Sequence, residues 1–199
     1  EIVLYFELGF KEMDEVVEKI VHSNDKKTPC SYCGVFRRQG INHLAERVGA
    51  DVIALGHNLD DMAQTIMMNM QNGDLERTLR LAPHTSTPLE GMAPRIVPLR
   101  WVPEQEVHLY AIHKKLPIHH EECPHGEGAL RFRHRDTIAM MEEDVPGTRH
   151  GLLRMADDVK KLHANSGEQR KTIPINCPEC GQMCSGTLCK ACEMKKLME

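Results

Sequence analysis

Aromatic residues are scarce in this chain, since phenylalanine, tyrosine and tryptophan together make up 4% of its 199 residues. Leucine, isoleucine, valine and the 12 methionines must therefore fill most of the core. No apolar run approaches the ~20 residues of a membrane-spanning helix, and no signal peptide is recognisable. An excess of positive charge is also missing, because the net charge is −4. These absences exclude a generally basic nucleic-acid coat and argue against membrane attachment, but not against a local basic groove.

The composition is that of a globular protein, with 41% hydrophobic and 27% charged residues. The length suits one domain of ordinary size with a small appendage. Apolar residues recur at helical spacing in residues 13–21, 41–48, 62–70, 104–115, 130–143 and 151–163. Short apolar runs predict strands at residues 2–6, 51–55, 96–99 and 117–119. This alternation predicts an α/β fold with a parallel sheet.

Three segments divide the chain. Residues 1–163 carry the alternating pattern and form the predicted main domain. Residues 164–176 are polar and unpatterned, which is typical of a linker. Residues 177–199 form a tail rich in cysteine. Within the main domain, Thr28 and Pro29 are expected to end a helical region, and residues 30–34 are expected to form a turn.

Eight cysteines are the strongest chemical signal, and most of them form Cys-x-x-Cys pairs. Nothing in the sequence suggests export, so metal binding in a reducing cytosol explains the pairs better than a secreted disulfide framework. Two pairs lie in the tail: Cys177 with Cys180, and Cys189 with Cys192. Four thiolates can surround Zn²⁺ tetrahedrally, and metal binding would drive the folding of so short a segment. The tail is therefore predicted to be a structural zinc ribbon, with Cys184 as a spare thiol.

The other three cysteines are Cys30, Cys33 and Cys123. Three thiolates on a cubane iron–sulfur cluster would leave one iron free to bind an external ligand. A redox pair with a bystander cysteine is a second interpretation. Zinc completed by His125 or His119 is a third, and spacing alone does not choose among them.

The segment Gly56-His57-Asn58-Leu59-Asp60-Asp61 follows a predicted strand and opens a predicted helix. Ligands bind at this edge of open α/β sheets, and Gly56 would let a nucleotide approach the backbone. Asp60 or Asp61 could hold Mg²⁺ on a pyrophosphate. The alternative is that Asn58 and the two aspartates cap the helix and complement its dipole.

Four ordered motifs together resemble a known family. They are Pro29-Cys30-Ser31-Tyr32-Cys33-Gly34, Leu55-Gly56-His57-Asn58-Leu59-Asp60-Asp61, Glu121-Glu122-Cys123-Pro124 and the two closing knuckles. The set is similar to the tRNA uridine 2-thiolation enzymes of the TtcA/TtuA superfamily. It is most similar to the archaeal and eukaryotic cytosolic branch that thiolates the wobble uridine. The resemblance covers nearly the whole chain.

The resemblance implies a Rossmann-like ATP pyrophosphatase fold of the PP-loop type, with a small C-terminal zinc ribbon. By analogy, Cys30, Cys33 and Cys123 hold a 4Fe-4S cluster with one free iron. ATP adenylates the O2 atom of uridine, and sulfide carried on the free iron displaces AMP to give 2-thiouridine. A persulfide route through one of these cysteines is a competing proposal. Adenylation converts a poor leaving group into a good one, and a sulfur donor held beside the activated carbon attacks effectively intramolecularly.

The resemblance also assigns site residues. Asp61 is the expected catalytic or metal-facing carboxylate, and Gly56 and Asp60 are expected nucleotide contacts. His57 is either a further ligand or a histidine packed in the loop. Arg37 is the expected basic group that stabilises developing charge, with a solvated pair of arginines, Arg37 and Arg38, as the alternative.

Contacts to RNA are expected from a basic segment and from scattered arginines, because phosphate binding needs only a local basic surface. The segment is Arg131-Phe132-Arg133-His134-Arg135, and the further arginines are Arg77, Arg80, Arg95 and Arg100. The alternative interpretation is a set of charges on solvated helix faces. The expected partners are tRNA and a ubiquitin-like or small-molecule sulfur donor, and a homodimer is possible.

One departure from the family pattern concerns the phosphate loop. The Ser-Gly-Gly-x-Asp-Ser sequence, whose backbone N–H groups would cradle the ATP phosphates, is not found here, and neither is an upstream zinc module. The chain also opens on Glu1 instead of methionine. We therefore expect the sequence to begin partway into the catalytic domain. The rival functions are a T-loop uridine 2-thiolase and a noncatalytic zinc-ribbon subunit that binds tRNA, and a cytoplasmic location is expected for each.

Overall fold

Helices dominate the part of the chain that the structure describes. The structure is a computed structural model and describes residues 7–22, 27–83, 93–119, 121, 123–126, 129–166, 175–184 and 186–198. The helices are α1 (Met13–His22), α2 (Pro29–Val48), α3 (Leu59–Gln71), α4 (Leu75–Leu79), α5 (Glu104–His113), α6 (Leu130–Asp144), α7 (Thr148–Asn165) and α8 (Lys190–Lys196). The strands are β1 (Ile53–Ala54), β2 (Arg95–Ile96), β3 (Ile175–Asn176) and β4 (Met183–Cys184). In these described ranges, no helix is long and apolar enough to cross a membrane.

The strands form two separate pairs. β1 and β2 are parallel, with Ile53 opposite Arg95 and Ala54 opposite Ile96. β3 and β4 are antiparallel and lie in the cysteine-rich tail. The parallel pairing agrees with the α/β pattern predicted from the sequence. The strand predicted at residues 51–55 is shorter than expected, and it is partly exposed instead of buried.

The predicted turn at residues 30–34 is wrong, because this segment is the first part of α2. Thr28 is extended and precedes the helix, and Pro29 occupies its first turn. Proline suits that position because its fixed φ is helical and its missing N–H would be unpaired there anyway. Pro29 therefore starts the second helix and does not merely end the first. The helix ends at Gly49, whose φ of 63° is left-handed.

Two other strand predictions need correction. Residues 117–119 form no strand in the structure; they follow Lys115, whose φ of 53° turns the chain after α5. The strand predicted at residues 96–99 begins one residue earlier and stops at Ile96. Pro98 has no N–H to donate to a sheet, and the Arg100 N–H instead closes a turn onto the Val97 carbonyl at 3.2 Å.

The six predicted helices are confirmed, with shifted ends. The strand predicted at residues 2–6 and the middle of the predicted linker, residues 167–174, lie outside the described residues. The remainder of that linker belongs partly to defined elements, because α7 extends to Asn165 and β3 starts at Ile175.

One hydrophobic cluster joins the start of the described chain to its tail. Phe10 and Phe36 stack with ring centroids 4.5 Å apart, and Tyr32 meets Phe36 edge-on at 6.0 Å. Three buried tail residues, Cys177, Cys189 and Met194, belong to the same cluster. Truncation of a buried phenylalanine to alanine typically costs about 3–5 kcal/mol. The tail therefore shares its core with α1 and α2.

A second cluster holds α3 against α7. Leu59, Met62 and Ile66 of α3 pack on Leu153 and Ala156 of α7. The methionines of α3 are only partly core residues, because Met62 is buried, Met67 is half-buried and Met70 is 54% exposed. The buried half of α3 starts at the Gly56–Asp61 segment and fixes its position.

Glu142 links α6 to α7. Its Oε1 accepts the Gly147 N–H at 2.7 Å, its Oε2 accepts the Arg149 N–H at 2.9 Å, and the Arg149 guanidinium lies 3.3 Å away. Burial alone raises the pKa of Glu142, but these donors and the charge of Arg149 outweigh it, so the pKa lies below its usual value. The carboxylate thereby caps the first turn of α7.

We predict that Glu142→Gln lowers the free energy of unfolding at pH 7 by about 1–3 kcal/mol, because charge-assisted hydrogen bonds are lost. A glutamate with a depressed folded-state pKa stabilises the protein above its unfolded-state pKa of about 4.3 and loses this effect as the pH falls through the folded-state value. Urea unfolding should therefore show a difference at pH 7 that shrinks in acid. The exposed neighbour Glu143, changed to glutamine, is the control. A difference that is independent of pH would contradict the assignment.

Candidate functional site

The four tail cysteines of the two knuckles form a compact group. The sulfurs of Cys177, Cys180, Cys189 and Cys192 all lie within 4.8 Å of one another. The chain turns after Cys177 through a Gly181 N–H bond to the Cys177 carbonyl at 2.8 Å. Cys189 caps α8 by accepting the Cys192 N–H on its sulfur at 3.4 Å. In the described ranges, this is the one group of its kind, and its spacing suits a single tetrahedral ion.

The spare cysteine predicted in the tail lies outside this group. Cys184 is in β4, and its thiol donates to the Gly186 carbonyl at 3.0 Å. Ionisation of all four grouped thiols is unfavourable without a cation, because four negative charges would lie within 4.8 Å of one another. Burial raises the pKa of Cys192 far above its usual value, and the neighbouring cysteines add to the rise. Burial also opposes ionisation of Cys177, but N–H donors from Cys189 and two neighbours lower its pKa to about 6.

The four-cysteine group is attached to α2 by a polar network as well as by the shared core. Gln39 donates to the Cys180 sulfur at 3.4 Å, and its amide lies 3.5 Å from the His43 ring. Gln182 donates to the Glu46 carboxylate at 2.6 Å and lies 3.5 Å from the other nitrogen of His43. Three successive turns of α2 therefore contact the metal-binding segment.

Cys30 and Cys33 occupy the first turn of the same helix. Cys30 is exposed and Cys33 is half-buried, and neither forms a disulfide. Cys123 is exposed in the segment before α6, and its carbonyl accepts the Gly126 N–H at 2.9 Å. These three sulfurs do not form a compact single-ion group in the described part of the chain.

A contact between His125 and Asp14 brings the Cys123 segment to α1. The His125 Nε2 lies 2.7 Å from the Asp14 carboxylate. The segment around α1 runs antiparallel to α2, because Glu7 pairs with Arg47 and Phe10 stacks on Phe36. Asp14 therefore lies toward the Cys33 end of α2. His125 is held by this carboxylate through Nε2, and a histidine held in this way can still bind a metal through Nδ1.

The structure brings Gly56 and His57 to an exposed loop between β1 and α3. Both residues are exposed, and a side chain at Gly56 would meet nothing within 4 Å. The exposure of His57 argues against the interpretation as a packed loop histidine. Asn58 is 9% exposed and caps α3 by accepting the Asp61 N–H at 3.0 Å. The loop is thus open on its Gly56 side and fixed on its Asn58 side.

The two aspartates are both bound within the chain. Asp61 completes a capping box by accepting the Asn58 N–H at 3.2 Å, and its other oxygen lies 3.1 Å from the Arg131 guanidinium. Asp60 accepts the Glu104 N–H at 2.7 Å and pairs with Arg149 at 2.7 Å. The capping alternative is therefore confirmed for Asn58 and Asp61, which form the capping box of α3. Asp61 is 34% exposed and Asp60 is 16% exposed, so Asp61 is the more accessible to a ligand.

Arg131 and Arg149 are partners that the sequence did not assign to these aspartates. Besides Asp61, the Arg131 guanidinium donates to Gln64 and Thr65, each at 3.1 Å. Arg149 bridges Asp60 and Glu142. Each pair joins segments about 70 to 90 residues apart in the chain. No periodicity or local spacing signals such a contact, although an excess of arginine just after Cys123 was visible.

The predicted basic surface is divided by the fold. Arg131 is bound internally, His134 is buried, and Arg100 pairs with Asp157 at 2.7 Å. Exposed arginines of the predicted set are Arg77, Arg80, Arg133 and Arg135. Arg37, the candidate basic residue, is exposed on α2 one turn after Cys33. Arg38 is exposed on α2, and half-buried Arg95 of β2 donates to Asn42 of the same helix.

Known proteins are similar to this chain along most of its length. No family model matches the chain. The tRNA 2-thiolation protein NcsA of Haloferax volcanii is 37% identical, over 100% of this chain and 63% of its own length. The cytoplasmic tRNA 2-thiolation protein 1 of Chlamydomonas reinhardtii is 36% identical, over 96% of this chain and 52% of its own length. A probable sulfurtransferase of Methanocaldococcus jannaschii is also 36% identical, over 94% and 52%.

A solved structure is similar too. The U34-tRNA thiolase NcsA from Methanococcus maripaludis, solved with its [4Fe-4S] cluster, superposes with a TM-score of 0.71 at 31% identity. The match covers 86% of this chain and 53% of that one. The chain thus spans about half to three-fifths of the length of the proteins it matches. The resemblance predicted from the four motifs is confirmed.

We predict that the tail binds one metal ion per chain and that Cys180→Ser abolishes this binding, whereas Cys184→Ser does not. Metal binding supplies folding free energy to such sites, and the tail core includes Phe10 and Tyr32. Cys180→Ser or chelation should therefore also lower the thermal midpoint of the whole protein. Metal analysis and thermal unfolding measure the two effects. Equal metal content in both variants would contradict the ligand set.

Proposed function

The chain is homologous to the tRNA 2-thiolation proteins, and we propose that it carries out 2-thiolation of the wobble uridine of tRNA. The similarity to a U34-tRNA thiolase, over 86% of the chain, is the observation that supports this most directly. The chemistry is proposed to be that of an ATP-dependent tRNA-uridine 2-sulfurtransferase on a Rossmann-like PP-loop fold. The parallel pair β1–β2, with the Gly56 loop directly after β1, is consistent with such a fold.

The proposed reaction has two steps. The uridine O2 atom attacks the α-phosphorus of ATP and pyrophosphate leaves, so that the oxygen becomes part of a good leaving group. A sulfur nucleophile then attacks C2 and AMP leaves with the former O2 oxygen. Because a bound sulfur donor beside C2 makes the second step effectively intramolecular, positioning supplies much of the rate. A persulfide on one of the chain's cysteines is the competing sulfur source.

Cys30, Cys33 and Cys123 are the proposed ligands of a 4Fe-4S cluster. The donor set fits, because the three thiols are free, two lie at a helix N-terminus and none is fully buried. When bound, such a cluster supplies a thiophilic iron with a position for an external sulfur ligand. The His125–Asp14 contact would keep the third ligand's segment against α1.

Asp61 and Arg37 are the proposed catalytic residues. Asp61 is the more exposed of the two aspartates, and Arg131 holds its carboxylate in place. Mg²⁺ on the ATP phosphates would share that carboxylate with Arg131, since Mg²⁺ takes only one or two protein carboxylates. Arg37 is exposed near Cys33 and would stabilise charge that develops on phosphate or on the uridine oxygen. Gly56, His57 and Asp60 are proposed nucleotide contacts, although Asp60 also anchors Arg149.

Zn²⁺ is the proposed occupant of the four-cysteine tail. Four thiolates complete a tetrahedral shell, which leaves no open position for catalysis. The role would be structural, because the same residues complete the core beneath α2. The proposed partners are tRNA and a ubiquitin-like or small-molecule sulfur donor, with a homodimer as the proposed assembly. Relatives named as cytoplasmic proteins support a cytoplasmic location.

Nucleoside mass spectrometry tests the proposal. We expect tRNA from a strain that lacks the gene to lose 2-thiouridine derivatives at the wobble position, and the intact gene to restore them. Loss confined to the T-loop would assign the other uridine. A strain with unchanged thiolation would favour a noncatalytic tRNA-binding subunit.

We predict that Cys123→Ala removes both 2-thiouridine formation and the broad visible absorption of the anaerobically purified protein, while metal in the tail is retained. The reason is that a cluster with only two protein thiolates is poorly held. Cys184→Ala, a free cysteine outside both groups, is the matched control. A colourless anaerobic preparation with full activity would contradict the cluster.

We also predict that Asp61→Asn and Asn58→Ala separate chemistry from capping. Asparagine keeps an oxygen that can accept the Asn58 N–H but loses the charge that pairs with Arg131. Asp61→Asn should therefore cost about 1 kcal/mol of stability, as Asn58→Ala does, while it lowers thiolation about 10²-fold or more. Asn58→Ala should cost about 1 kcal/mol of stability with thiolation retained. Thiolation assays and thermal unfolding of both variants measure this. Equal activity loss in the two variants would assign Asp61 to capping alone.

A further inference from the structure

Three arginines from three elements lie near the middle of α2. Arg95 of β2 donates to the Asn42 side-chain carbonyl of α2 at 2.5 Å. Asn42 lies four residues after Arg38, so the two side chains share one face of the helix. Arg77 of α4 is the third member, and its charge acts directly on Arg38. We call Arg38, Arg77 and Arg95 the arginine cluster.

The cluster has more positive charge than the chain neutralises. In the described part of the chain, Arg38 has no hydrogen-bond or ion-pair acceptor, and Arg95 has only the neutral Asn42. Arg77 pairs with Asp74 at 3.0 Å but is 66% exposed. Partial burial and the charge of Arg77 lower the pKa of Arg38, and partial burial and the charge of Arg38 lower that of Arg95. Arg38 is therefore repelled by both Arg77 and Arg95, and an anion placed beside Arg38 would relieve this repulsion.

The position of the cluster relates it to the proposed thiolation site. The Arg38 Nη1 lies 3.7 Å from where a side chain on Gly34 would begin, so the guanidinium lies back along α2 toward Cys33. Arg37, the neighbouring residue, is the one proposed to stabilise charge during the reaction, and it is exposed. The sequence predicted RNA contacts for Arg77 and Arg95 separately; the structure adds Arg38 and relates all three to the first part of the helix that carries Cys33.

We propose that Arg38, Arg77 and Arg95 form a phosphate-binding site that holds the backbone of the tRNA beside the nucleotide to be thiolated. This inference rests on the proposed function and adds a binding site to it. Guanidinium groups bind phosphate oxygens through paired N–H donors in a fixed planar geometry. Contacts of this kind fix register on a nucleic acid without reading its sequence.

A tRNA phosphate fits these observations better than the phosphates of the nucleotide. Arg38 and Arg77 are both exposed, and they lie on different elements, so the cluster faces solvent and not an enclosed pocket. The basic segment predicted for RNA is partly unavailable, because Arg131 is bound to Asp61 and His134 is buried. A chain of net charge −4 then needs a local cationic surface to hold a polyanion.

Arg38→Gln tests the proposal through tRNA binding measured at several salt concentrations. We expect binding at least threefold weaker at about 0.1 M salt, with the slope of log K against log salt reduced by about 0.7–0.9, as for the loss of one phosphate contact. Arg77→Gln should behave alike, and Arg38→Lys should keep most of the salt slope. Arg47→Gln removes an equally exposed arginine at the far end of α2 and should change neither quantity.

A parallel measurement with a nonhydrolysable ATP analogue distinguishes the two sources of phosphate. Loss of analogue binding with unchanged tRNA binding would overturn the RNA assignment. Wild-type affinity and salt slope in both Arg38→Gln and Arg77→Gln would overturn the site altogether. That result would leave the proposed thiolation activity untouched, because nucleoside mass spectrometry tests the activity independently of the arginine cluster.

Discussion

The packing of the cysteine-rich tail against α2 is the constraint on which the rest of the structure depends. Cys177, Cys189 and Met194 share one buried cluster with Tyr32 and Phe36 of that helix. A metal-binding segment this short has too little apolar surface to fold alone. The apolar side chains of the tail and of α2 therefore bury one another. The same helix presents Cys30 and Cys33 from its first turn, so the tail supports the position of those cysteines.

The segment that opens α3 shows how the chain uses charge. Asp60 and Asp61 each hold an arginine from a distant helix, Arg149 and Arg131 respectively. Such half-buried, hydrogen-bonded ion pairs orient side chains more reliably than exposed pairs do. A carboxylate that is already fixed needs no reorganisation before it meets a ligand, which is the condition for electrostatic catalysis. Capping and chemistry at Asp61 are therefore compatible functions of one side chain.

The sequence predicted the local features better than the distant ones. The six helices follow from apolar periodicity, and the four tail ligands follow from the spacing of two knuckles, because both signals lie within a few residues. The turn at residues 30–34 was wrong because Pro29 can end one helix or start the next, and only packing decides. The arginine partners of Asp60 and Asp61 were invisible, since contacts across 70 or more residues leave no local pattern.

The distribution of arginines connects these observations. Arg131, Arg149 and Arg100 have carboxylate partners inside the chain and join elements that are distant in sequence. Arg38 and Arg95 have none in the described part of the chain, although partial burial makes an unpaired charge unfavourable there. A fold that pairs Arg100, Arg131 and Arg149 with acids and leaves Arg38 and Arg95 without one is suited to an anion from outside. The Arg38 guanidinium lies back along α2 toward Gly34, which relates that anion to the sulfur chemistry proposed for Cys30 and Cys33.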